Sequence, residues 1–136
     1  MRRVLPALIA VSAVVAVLAA CNSSTGPDVD LTGNWGGTFV TTVPVGPTEP
    51  WAANLVQTGT TVTGTLNCEG LETYSVGGTN VHNALTLTLV GSISDTAHLL
   101  GTASGSGGTV SASGTFSDDD ADGCFTGFGN WTGKLQ

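Results

Sequence analysis

From Leu31 onward, apolar residues recur at every second position, with threonine filling many of the places between them. The stretch 61–66, TVTGTL, sets Val62 and Leu66 on one face and Thr61, Thr63 and Thr65 on the other. The stretch 85–90, LTLTLV, sets Leu85, Leu87 and Leu89 against Thr86 and Thr88. A period of two is that of an extended strand whose side chains alternate between core and solvent, so these runs predict half-buried antiparallel strands. The same pattern runs through Trp35–Gly37–Phe39, Trp51–Ala53–Leu55, Tyr74–Val76, Leu99–Ala103, Val110–Ala112–Phe116 and Phe125–Trp131–Leu135. That makes eight strands and no helix. Composition agrees: only 10% of residues are charged, whereas the solvent face of a helix normally carries Lys, Glu and Arg.

The connectors narrow the topology. They alternate between long (43–50, 67–72, 91–96, 117–123) and tight (58–60, 81–83, 105–108). In an up-and-down meander, alternate connectors fall at opposite ends, so the long loops share one mouth. This regularity predicts an all-β, eight-stranded antiparallel up-and-down barrel over residues 31–136, with a β-sandwich as the alternative. Glycines expected at inward positions (Gly37, Gly64, Gly78, Gly101, Gly114 and Gly127) permit the coiling a small barrel needs. A barrel of this size is either filled by side chains or holds one small ligand.

The first twenty residues have a different character. Arg2 and Arg3 precede an apolar run, Val4 to Leu18, that ends in Leu18-Ala19-Ala20-Cys21. A basic-apolar segment ending in small residues reads as a secretory signal. With cysteine directly after the small pair, it resembles the lipobox of bacterial lipoproteins. That resemblance implies cleavage after residue 20 and a diacylated, palmitate-bearing Cys21 at the mature N-terminus, whose two or more acyl chains give the stable membrane anchoring that one chain cannot. Residues 21–30 then form the lipidated cysteine and a flexible tether rich in Ser, Gly and Pro. The implied location is the cell envelope. Asn22 is not the Asp that resembles an inner-membrane retention signal, which favours the outer membrane in a two-membrane bacterium.

Beyond the signal, ten acids face a single base, Lys134. Such a chain cannot neutralise phosphates and is not a nucleic-acid binder; cations or cationic proteins are its natural partners. Eight of the ten acids fall in the expected long loops: Glu49, Glu69, Glu72, Asp95, Asp118, Asp119, Asp120 and Asp122. The densest, 117–124 (SDDDADGC), opens as Asp118-x-Asp120-x-Asp122-Gly123, the start of a calcium loop whose alternate carboxylates converge on a hard cation. An EF-hand would then need Glu at position 129, which is glycine. Two readings stay open: a calcium site completed by Glu69, Glu72, Asp95 or water, and a solvated acidic turn.

Cys68 and Cys124, an even pair in an exported domain, predict a disulfide. Strand parity puts both at the long-loop mouth, on loops that are not neighbours, so a bridge would narrow the opening. The competing use of Cys68, as a nucleophile paired with His98, needs both near that mouth. Otherwise no metalloprotease, hydrolase or phosphate-loop motif occurs, and His82 and His98 fall at different ends. The expectation is a protein that is not an enzyme and needs no cofactor.

The first strand, 31–39 (LTGNWGGTF), resembles the G-x-W strand of lipocalins and avidins. That resemblance implies Trp35 at the closed end of a barrel, with a basic residue of the last strand, here Lys134, packed across it. Residues 129–133 (GNWTG) echo this strand and place Trp131 in the core. Three uses follow for a monomeric, lipid-anchored protein. It takes a small apolar ligand inside, it docks its acidic loops on a cationic protein as small lipoprotein inhibitors of lysozyme do, or it is a structural envelope lipoprotein.

Overall fold

The alternating runs become strands, as the periodicity requires. In the computed structural model, which describes residues 28–92, 95–118 and 124–136, they are β1 Gly33–Val43, β2 Thr48–Thr58, β3 Thr61–Cys68, β4 Glu72–Val81, β5 Ala84–Gly91, β6 Thr96–Ser104, β7 Ser111–Asp118 and β8 Phe128–Leu135. Each pairs antiparallel with its sequence neighbour. β1 also pairs with β8, Phe39 opposite Trp131, closing an eight-stranded barrel. That closure sets aside the sandwich and leaves no strand edge free to pair with another chain.

The connectors divide as the meander demands. Those after β1, β3, β5 and β7 lie at one end, the mouth; those after β2, β4 and β6 lie at the other, the base. The strands run further than the sequence suggested. β1 and β2 absorb half of the first long connector, so Glu49 stands on β2. Glu72 opens β4 and Asp118 closes β7.

Inward side chains fill the barrel. Trp51 lies flat on two glycines, where a Cβ added at Gly37 or Gly133 would come within 2.6 Å of its ring. The absence of those side chains is what lets an indole cross a barrel this narrow. Gly129 and Gly133 are the inward glycines of β8, whereas Gly127 stands in the connector before it, at a φ of 69°. Phe125 likewise belongs to that connector and not to the last strand.

The base is sealed by the segment that enters β1. Leu31 is buried, and its carbonyl accepts the Trp35 indole N–H at 2.8 Å. The Val29 N–H donates to Asn83 Oδ1 (2.7 Å), and Asn80 Nδ2 donates to the Val29 carbonyl (2.8 Å). The packing expected of Lys134 across Trp35 does not occur. Trp131 and Gly133 point inward, so Lys134 must point out; it is exposed on the wall, paired with Gly36 and Ser111. Trp35 and Trp131 are core, as expected, each 3% exposed.

Candidate functional site

Cys68, the last residue of β3, is joined to Cys124 in the β7–β8 connector, with Cα atoms 6.1 Å apart. The bond crosses the mouth between non-adjacent strands and holds the connector over the opening. Cys68 is therefore not a nucleophile. His98 points outward from β6, its Nδ1 3.4 Å from Thr88 Oγ1, and His82 lies in the turn at the base, 75% exposed.

The residue after Cys124 makes the seal. Phe125 is fully buried, its ring centroid 3.8 Å from Phe39, 5.2 Å from Phe116 and 5.5 Å from Tyr74. Burying a phenyl group contributes about 1.5–3 kcal/mol, and edge-to-face contacts add about 0.5–1.5 kcal/mol per pair. Tyr74 supplies the polar fastening. Its hydroxyl donates to Asp95 Oδ2 at 2.7 Å and accepts the Cys124 N–H at 3.2 Å. Burial, and then the hydrogen bond to the Asp95 carboxylate, push this phenol far above its ordinary titration range.

The long connectors lie at the mouth, but their described acids are not uniformly displayed. Glu69 is exposed in the β3–β4 turn; Glu49 and Glu72 are half-buried. Glu72 Oε1 accepts the Ser92 N–H at 2.9 Å. Asp95 is 2% exposed and its Oδ1 has no hydrogen-bond partner. Asp118 follows the inward parity of Phe116 and is 6% exposed; its backbone N–H donates to the Gly127 carbonyl. Asp119, Asp120 and Asp122 lie outside the described residues, as do Cys21 and the rest of residues 1–27. Among the described residues, no three His, Cys, Asp or Glu are grouped to hold a metal. Asp28 lies at the base, 3.8 Å from His82.

Behind the Phe125 seal, about 20 Å³ of space remains, lined only by apolar residues including Trp35, Trp51, Leu55, Leu87 and Trp131. This is room for about one water, which would lack the two to four polar partners a buried water needs. The Trp51 Nε1–H is buried without an acceptor. Sequence reasoning missed the fastening role of Tyr74 and the seal of Phe125. The only available signal was an aromatic placed directly after a cysteine in an acid-rich connector.

Together these features define a class: a closed meander barrel, filled by its own side chains, sealed at the base by its entering segment and at the mouth by a disulfide-held phenylalanine. The architecture agrees with what the first strand's resemblance to lipocalins and avidins implies. Comparison with known protein families, curated proteins and solved structures finds no match for the chain.

Proposed function

We propose that this is a lipid-anchored envelope protein of binding type, whose barrel is a rigid carrier for an acidic rim that docks on a cationic protein. The observation that carries this reading is the sealed interior. With about 20 Å³ left inside, recognition falls to the surface, and the chain beyond the signal segment has ten acids against one lysine. The tether enters at the base, so a lipid on Cys21 would leave the mouth facing away from the membrane. Long-range attraction between a one-signed rim and a basic partner raises association rates and weakens steeply with salt.

The test is titration of the full chain with lysozyme as a basic probe. Binding is expected at about 20 mM salt and should be lost by about 0.5 M, where the Debye length falls well below 10 Å. Glu69→Lys should weaken it severalfold. Absence of binding at low salt, to lysozyme and to polylysine alike, would overturn the proposal. A second reading, a small apolar ligand within, draws support from the unpartnered Trp51 indole N–H. Such a ligand would have to displace Phe125, and a change in tryptophan emission on adding fatty acid would speak for it.

A further inference from the structure

The barrel's outer wall is mostly threonine, serine and asparagine with scattered valines and Leu100, and Phe128 is the aromatic that stands on it. Seven of the eight aromatic side chains are buried, none more than 6% exposed; Phe128 is 58% exposed. Its position is set by the backbone. The β1–β8 register shifts between Thr41 and Val43, so Thr42 is an extra residue there, and its hydroxyl donates to the Phe128 carbonyl at 3.1 Å. Bulges of this kind re-aim side chains and gather at functional places in sheets.

Phe128 forms one side of a trough of about 510 Å³ on the outer wall. The register builds it directly. Ser117 and Thr115 on β7 form the floor. Phe128 and Asn130 stand beside them on β8, and His98 and Leu100, the latter 55% exposed, stand on β6. The two sides are two strand spacings apart, about 10 Å. The trough thus has an aromatic and an aliphatic flank over a hydroxyl floor, and no Asp, Glu, Lys or Arg lines it.

From this we infer that the trough along β7 is a binding site for a neutral oligosaccharide, with Phe128 as the platform for a sugar ring. A pyranose with mostly equatorial hydroxyls presents C–H bonds on its faces, which suit an aromatic ring, and hydroxyls at its edge. Those hydroxyls both donate and accept, as do the side chains of Thr115, Ser117 and Asn130. A strongly acidic chain that leaves this strip uncharged is matched to a neutral ligand. An extended peptide has no strand edge to join on a closed barrel. None of the acids of the rim lines the trough.

The experiment is calorimetric titration of the full chain, in a detergent without a sugar head group, with cellohexaose and chitohexaose. Binding to at least one is expected, unchanged between about 0.05 and 0.5 M salt because no charge lines the trough. Phe128→Ala should weaken it about tenfold or more, as truncating an aromatic anchor does. Phe128→Trp should preserve it, and Phe128→Leu should behave like the alanine variant. Since Phe128 lies outside the core, melting curves of these variants should match the wild type. Co-sedimentation with insoluble cellulose or chitin separates binding of free oligosaccharide from binding of a polymer surface. No binding to either hexamer, binding insensitive to Phe128→Ala, or a dimer that Phe128→Ala dissolves would each overturn the inference.

Discussion

Tyr74 shows how much one side chain can be asked to do. It packs on Phe125, donates to Asp95 Oδ2 and receives the Cys124 N–H. Tyr74→Phe keeps the packing and removes both hydrogen bonds, leaving two buried polar groups without partners. The expected loss is about 1–3 kcal/mol for each buried group left unsatisfied, read by urea unfolding. The phenol also gives a pH signature. Its folded titration point lies above the ordinary value of 10.0, so the folded state keeps a proton that the unfolded state releases. Tyr74's contribution is therefore complete below about pH 10 and declines as pH rises beyond it. Melts from pH 8 to 11.5 should show that alkaline decline in the wild type and a shallower one in Tyr74→Phe; identical slopes would refute the assignment. None of this was legible in the sequence. Alternation says that Tyr74 points inward but not which carboxylate its hydroxyl reaches, because Asp95 arrives from the β5–β6 connector.

At the scale of elements, the β7–β8 connector decides whether this barrel is open. Its disulfide closes a chain segment with a separation of 56 residues, for which removing the cross-link costs about 2–4 kcal/mol. The double variant Cys68→Ala, Cys124→Ala should melt lower by an amount matching that range. It should also bind the hydrophobic dye ANS more strongly, as Phe125 loses its tether. Unchanged dye binding would mean that aromatic packing alone holds the seal. The strands themselves were readable: eight runs follow from side-chain period, and connector length favoured the meander with its mouth-to-base alternation over a sandwich. Their ends were less so. Glu49, Glu72 and Asp118 look like loop residues by charge, yet ladder hydrogen bonding carries the strands through them. Lys134 illustrates the same limit in reverse. Its place on the last strand was right, but parity turns it to solvent, away from Trp35.

For the whole molecule, the two ends of the barrel have different work. The base receives the entering chain through Val29 and Leu31 and their asparagine and glutamine partners, while the mouth carries the exposed Glu69. If Cys21 bears the lipid, Cys21→Ala should abolish palmitate incorporation and release the protein from the membrane fraction without changing the melting curve of the barrel. Labelling that survives the substitution would refute the anchor. Strand number and the disulfide were legible in the sequence alone, because period two and paired cysteines are local or countable features; connector length favoured the meander, and the pairing of β1 with β8 decided it over the sandwich. Whether the barrel is hollow was decided only by tertiary structure. That outcome depends on how Trp51 settles over Gly37 and Gly133 and how Phe125 drops between Phe39, Phe116 and Tyr74. These are contacts between residues far apart in the chain, set by shape complementarity in three dimensions. The exposed Phe128 is of the same kind, since only closure of β8 onto β1 shows which wall it stands on and what lies beside it.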